Sequence, residues 1–440
     1  MSSGPNIVRD GLVFHYDLSD EKSFAGEPTT NYIYHQNPRI DGTYTPFIPY
    51  DGTGNITVNH PQGIGVYNTD NNDISWYVNT GISVANSGVA WEYARHAYWI
   101  YDNDLKKPVV QSYDAVGTWQ AKSYGTNMNA WSTYGMTVGS QYTISWLQWT
   151  NNLTKRAHVG LYTRDSGGNY NFWDGLSSVP VNTKTHTWER LSQTYTVSAS
   201  RNLNDSYSAV YMYTHVFDYG IIRIADVQLE LKDHPTAYSP TLTRSSTQVL
   251  FDRTKNLTSI DVSNVSFNSQ GKMIFDGTND YIFSPSAAPS FTNNVTFSCW
   301  FKTSVQQTNK YIMAMGKNLT GNNGMDLCLQ GTDVASYIVG SSSFIYLNHN
   351  TNYQNNQWHM LTVTYNGTSA VLYYDGVAVN SGPFTQNVDI EATRRLAIGS
   401  WVNGGSNFNG EIDVLQVYNR GLNASEVSQN YNSLRRKFGV

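Results

Sequence analysis

The stretch VTFSCWFK, residues 295–302, sets Val295, Phe297, Cys299 and Phe301 in alternation with Thr296, Ser298, Trp300 and Lys302. A period of two marks a strand with one face turned to a core. The pattern recurs beyond about residue 248. WHMLTVTYNGTSAVLYYDGVAV reads as strands separated by Asn366-Gly367 and then Asp375-Gly376, both turn dipeptides. RRLAIGS and GEIDVLQVYNR add two more short strands. The middle of the chain holds another series: QYTISWLQWT, RAHVGLYTR, TWERLSQTYTVS, SAVYMYTHV and GIIRIADVQLEL, with Gly, Asn and Pro between them. Closely spaced strands of this kind predict an all-β chain of two antiparallel β-sandwiches of the jelly-roll type.

The tail leaves this pattern. Asn423 is placed to cap a helix, with Glu426 three residues on, and Val427, Tyr431, Leu434 and Phe438 then recur at spacings of 4, 3 and 4. The stripe predicts a short amphipathic helix over about residues 424–437, docked on its own sandwich. Arg435, Arg436 and Lys437 fall in its last turn, where cations suit the helix dipole.

Composition narrows the function. Aromatic residues make up 14% of the 440, with 32 Tyr and 12 Trp, which favours half-buried pleated faces over helices. The net charge of −5 comes with no Lys/Arg-rich block, so nucleic acid is not an expected partner. There is no apolar run long enough to span a membrane. The opening MSSGPNIVRDGLVFHYDLSD lacks the apolar centre of a secretory signal, and Cys299 and Cys328 are too few for a disulfide framework. The expectation is a chain made in a cytoplasm.

Five motifs in serial order resemble a laminin-G-like/concanavalin A-like lectin domain over roughly residues 248–440. They are GKMIFDGTNDYIFSP, VTFSCWFKT, the WHML…DGVAV pair, RRLAIGS, and FNGEIDVLQVYNRGLNASEVSQNY. In wording they are most similar to copies in tailed-bacteriophage structural proteins. DGLVFHYDLSDEKSF resembles the opening strand of the same family, whose continuation here is VLFDRTKNLTSID, more than two hundred residues later. The intervening stretch, from GEPTTNYI to ADVQLELKDHPTAYSP, resembles at both ends carbohydrate-binding-module-like jelly rolls in phage proteins. The resemblance implies an interrupted domain: residues 1–26 supply an arm and the first strand, 27–245 form the inserted jelly roll, and 246–440 complete the lectin-like sandwich. Exposed turns tolerate such insertions. The alternative is an arm followed by two domains in tandem.

Glu411 and Asp413 alternate on the last strand and fall on one face, with Leu415 next in register. Glucanases on the same scaffold carry Glu-x-Asp-x-x-Glu, but here the final carboxylate is Gln416, which cannot exchange the catalytic proton. With no Gly-x-Ser-x-Gly elbow and no His-Glu-x-x-His helix, the expectation is a protein that is not an enzyme. His186 and His359, beside Trp188 and Trp358, read as packing at a sandwich edge.

No cofactor is expected apart from calcium, for which Asp276, Asn279 and Asp280 offer hard oxygen ligands in a turn. Candidate sugar-binding aromatics are Trp149, Tyr170, Trp173 and Trp401, in or beside Gly/Asn-rich loops, each with a core-packing alternative. The resemblance implies a non-enzymatic virion protein of a tailed phage: a head decoration, a fibre or a tail-associated part. Its partners would be other virion proteins such as the major capsid protein, many copies of itself, and host-surface glycans. The alternatives are a carbohydrate-active enzyme or its carbohydrate-binding module, and a bacterial surface adhesin.

Overall fold

The computed structural model describes residues 6–30, 131–154, 180–204, 221–239 and 243–440. Within the last span, 257–259, 270, 285–292, 317–323 and 389–394 are excepted. It also describes the strand segments 47–49, 75–76, 97–113, 121–123, 157–163, 172–173 and 209–214. The chain is mostly β, in several antiparallel sheets, with one short C-terminal helix among the described residues. It divides into two compact units: Met1–Pro28 with Arg244–Val440, and Thr29–Thr243.

The first of these, the terminal unit, is a sandwich of an eight-stranded and a six-stranded sheet. Along the larger sheet the order is Ser266–Phe267, Met273–Asp276, Asn409–Tyr418, Val295–Lys302, His359–Tyr365, Ser369–Tyr374 and Val377–Pro383. Leu12–Asp17 also joins Asn409–Tyr418, setting Phe14 opposite Val417 and Asp17 opposite Val414. The smaller sheet runs Ile282–Phe283, Leu396–Ile398, Gln307–Gly316, Gly324–Gly331, Asp333–Val339 and Phe344–Asn350. Between the sheets lies one core, to which the central strand contributes Val295, Phe297, Cys299 and Phe301, the alternate residues its sequence singles out. The turn dipeptides act in different ways. Asp375 and Gly376 both take positive φ (49° and 79°), the two-residue turn that matches strand twist. Asn366 instead caps a longer loop, its side-chain oxygen accepting from Thr368 N–H (3.1 Å) and Ser369 N–H (2.9 Å).

The C-terminal helix, Ala424–Phe438, forms with both ends satisfied. Asn423 Oδ1 accepts from Glu426 N–H at 3.0 Å, and Glu426 Oε2 accepts from Asn423 N–H at 3.0 Å. Gly439 ends the helix in the left-handed region (φ 74°). The apolar stripe lies on the outer face of the eight-stranded sheet, where the Trp300 ring stacks on Tyr431 (5.5 Å) and Phe438 (4.3 Å). Asn430, buried on the inner side of the helix, accepts from Val8 N–H (2.8 Å) and donates to the Tyr418 hydroxyl (2.9 Å). The N-terminal segment is thereby tied to the last helix.

In the middle unit a six-stranded sheet contains Gln141–Thr150, flanked by Glu189–Thr196 and Ile221–Glu230. Tyr142, Ile144 and Trp146 on the first of these strands, and Ile222, Ile224 and Leu229 on the last, are fully or almost fully buried. A bulge between Ala225 and Gln228 leaves Asp226 at φ 51°. Past it, Glu230 accepts from Thr236 N–H (3.0 Å) and Gln228 accepts from Ser239 N–H (2.7 Å). This explains the ADVQLEL…PTAYSP spacing: buried polar side chains of the strand hold the segment that follows it.

Candidate functional site

On the outer face of the eight-stranded sheet, the described residues line a groove of about 80 Å³, open at its mouth. Pairing of the strands builds it. Lys302 sits opposite Glu411, and Phe301 opposite both Ile412 and His359, so Trp358, Lys302 and Glu411 form a row across three neighbouring strands. Ile412 belongs to the inner core while Glu411 turns outward.

Simple alternation predicts Leu415 on the face of Glu411 and Asp413, and the structure corrects this. A register shift between Cys299 and Phe301 sends Val414 to the helix-covered face and Leu415 into the inner core. Asp413 still reaches the groove.

Each carboxylate has a structural partner. Glu411 Oε1 lies 2.6 Å from Lys302 Nζ, and that ammonium is 5.3 Å from the centre of the Trp358 ring. Asp413 Oδ1 accepts from Lys437 Nζ (2.7 Å) and Leu18 N–H (3.1 Å), while Oδ2 accepts from the Ser19 hydroxyl (3.3 Å). Lys437 also meets Asp17 at 2.5 Å, so one ammonium in the last turn of the helix clasps the first and last strands. Burial pushes the Asp413 carboxyl above its usual range, against the pull of Lys437. Leu18 and Phe24 close one side of the groove, Met273 and Lys272 another, and Trp358 a third. Phe438 backs the indole at 4.8 Å. Gln416, where a glucanase strand carries its last carboxylate, is buried.

The other candidates fall elsewhere. Asp276 Oδ1 accepts from Thr278 N–H (2.7 Å) and Asn279 N–H (3.2 Å), and the Thr278 bond contributes most to holding its pKa below the usual range. Asp280 Oδ2 accepts from Asp276 N–H (2.7 Å) and Oδ1 from the Ser266 hydroxyl (3.1 Å). Burial raises the pKa of Asp280. These oxygens serve their own turn, and Asn279 is exposed beside it. Among the described residues no group of three or more His, Cys, Asp and Glu side chains is disposed to hold a metal ion.

Trp401, half-buried, packs at 4.7 Å on Tyr311 over Ala314, Ala397 and Val402. Trp149 belongs to the middle unit, with the Arg223 guanidinium 4.3 Å above its ring and His186 edge-on at 5.3 Å. Trp173 lies in the strand Phe172–Trp173, opposite Tyr162, and Tyr170 lies outside the described residues. His359 sits between Asp375 (2.9 Å) and Asn355 (3.1 Å).

Sequence reasoning placed His359, beside Trp358, at a packed edge and passed over Ser19 and Lys272. The signal for Trp358 was available. It lies two residues before Met360, whose strand partner is Trp300, and so it faces outward with that row.

Residues 276–428 match the family model described as the concanavalin A-like lectin/glucanases superfamily. The terminal unit thus contains a lectin-like jelly-roll domain. Among solved structures the chain is similar to domain 4 of an extracellular arabinanase from Geobacillus stearothermophilus, in complex with arabinotriose. Identity is 21% over 42% of this chain and 93% of that one, with a TM-score of 0.35. It is also similar to the receptor-binding domain of botulinum neurotoxin D (18% identity, 43% of this chain, 50% of that chain, TM-score 0.34). The binding domain of Paraclostridial Mosquitocidal Protein 1 gives 18% identity over 42% of this chain and 49% of that chain, with a TM-score of 0.35. This chain therefore spans about half the length of the two toxin domains. No curated protein matches it.

Proposed function

We propose that this chain is a non-enzymatic structural protein of a tailed-phage virion, a head decoration, fibre or tail-associated part, that adheres to host-surface glycans through its lectin-like domain. The observation that carries the non-enzymatic reading is the bonding of Glu411 and Asp413. A general acid must hold a proton aimed at the leaving oxygen, and its partner must be free to attack or to activate water. Glu411 is paired with Lys302, and both oxygens of Asp413 already accept from Leu18, Ser19 and Lys437. The virion assignment rests on the serial motifs, whose wording resembles that of phage structural proteins. Synthesis in the host cytoplasm, assembly with the major capsid or tail proteins, and display in many copies go with it.

Quantitative mass spectrometry of gradient-purified particles tests the assignment. A fixed ratio to the major capsid protein is expected, high for a head decoration or fibre and low for a tail part. Absence from particles overturns the reading. Release of reducing sugar from a β-glucan, lost in Glu411→Gln, would put the carbohydrate-active enzyme in its place.

A further inference from the structure

The groove beside the last strand retains bonding capacity that the fold leaves unused. Glu411 Oε1 is taken by Lys302, but Oε2 accepts no hydrogen bond among the described residues. Ser19 donates to Asp413 and keeps its acceptor lone pairs. Lys272, exposed at the rim, has no side-chain partner among the described residues. These groups converge on a space whose other walls are Trp358, Leu18, Phe24 and Met273. A concave site with an aromatic wall and a few placed polar groups is the usual form of a small-ligand pocket.

Charge and shape define the ligand. Glu411, Asp413 and Asp17 are matched by Lys302, Lys437 and Lys272, so the groove and its ion partners carry no net charge. An anionic sugar would set its carboxylate against Glu411 and Asp413, and a simple cation would find both acids already paired. An uncharged sugar ring fits both halves of the lining. Its C–H face packs against the apolar wall of Trp358, Leu18 and Phe24, and its hydroxyls supply the donor that Glu411 Oε2 lacks and the acceptor that Lys272 lacks.

We propose that this groove is the binding subsite for one uncharged sugar unit of a host-surface oligosaccharide, with Trp358, Leu18 and Phe24 as its apolar wall, Glu411 as hydroxyl acceptor and Lys272 as donor at the rim. This rests on the glycan-adhesion reading above and gives that reading a place on the molecule. It assigns the sugar to the outer face of the eight-stranded sheet, away from Trp149, Tyr170, Trp173 and Trp401.

Saturation-transfer NMR on the full chain tests it, with maltotriose, arabinotriose, chitotriose, lactose and 3′-sialyllactose as probes. At least one neutral probe should bind, and sialyllactose should bind no more tightly than lactose. Ser19→Trp fills the groove from an exposed position, and Glu411→Gln removes the acceptor charge. Each should weaken binding by about tenfold or more, which is about 1.4 kcal/mol, while the unfolding midpoint of Ser19→Trp stays near that of the parent. Trp358→Ala also removes packing on Phe438, so it is read only beside those two. Undiminished binding in both Ser19→Trp and Glu411→Gln places the sugar elsewhere and overturns the subsite, leaving glycan adhesion standing. If none of the probes binds, the subsite and the adhesion reading fall together, and the virion assignment is left to the particle measurement.

Discussion

The eight-stranded sheet turns Trp300 outward, and a helix closes over it. The six-stranded sheet turns Tyr311, Tyr337 and Tyr346 outward and covers itself with their rings. On the first face Tyr431 and Phe438 stack on an indole that is 1% exposed and whose Nε1 has no hydrogen-bond partner. On the second, Tyr337 and Tyr346 pair at 4.5 Å, Tyr311 and Trp401 at 4.7 Å, and small residues, Ala314 and Ala397, lie beneath the latter pair. The two faces solve one problem differently. An indole is too large to be covered by its strand neighbours, so burying it requires a separate element. Tyrosines can tilt together and leave their hydroxyls at the edge. The groove opens beside the end of the helix: Phe438 packs on Trp358 at 4.8 Å, and Trp358, Glu411 and Asp413 line the gap.

The largest test of this contrast is Trp300→Ala. It removes the anchor of the helix and leaves a cavity under two rings, so a loss of about 3–5 kcal/mol is expected. Urea unfolding followed by far-UV circular dichroism measures it, with the helical signal lost first. A loss below about 1 kcal/mol would mean that the helix is held by its polar ties, such as Asn430 to Val8, and not by stacking.

Much of this was legible in the sequence, for local reasons. The helix announces itself through Asn423, Glu426 and a 4, 3, 4 stripe, all within one short segment, and the central strand through its own alternation. The groove was not legible. Ser19 meets Asp413 across nearly four hundred residues, and that meeting depends on Leu12–Asp17 pairing with the last strand. The bulge opposite Trp300 was equally hidden, because alternation cannot show where a strand takes an extra residue, and so Leu415 was assigned to the wrong face. Trp300 itself sat among Thr296, Ser298 and Lys302 and gave no sign that a helix from the far end of the chain would cover it.

The tyrosine face has its own weak point in Asp326. Its Oδ1 accepts from Tyr337 N–H at 3.0 Å, and it is 2% exposed. Burial pushes its carboxyl up to about 7. The unfolded chain releases this proton near the ordinary value of about 4. Between these two values the unfolded state therefore binds fewer protons than the folded one, and stability falls as pH rises. The contribution is fully retained below about pH 4. Asp326→Asn keeps the acceptor for Tyr337 and should make the decline from pH 4 to 7 shallower, as read from denaturant midpoints across that range. Parallel curves for parent and variant would transfer the slope to Asp413 and Asp280, whose carboxyls are also raised.

The smallest effect separates the helix's own ends from the rings that hold it. Asn423→Ala removes the acceptor for Glu426 N–H and leaves the Glu426 carboxylate held by the residue-423 backbone N–H (3.0 Å) and by Arg420 at 2.7 and 2.9 Å. Cap loss of this kind costs about 1 kcal/mol, and Asn423→Gly only a few tenths, because glycine leaves the exposed amides open to water. If stacking on Trp300 dominates, the Ala variant lowers the unfolding midpoint slightly and leaves hydrogen exchange at Asn430 and Tyr431 slow. Fast exchange there would show the first turn to be the point from which the helix peels. The contrast between the two faces would then rest on a single capping residue as much as on an indole.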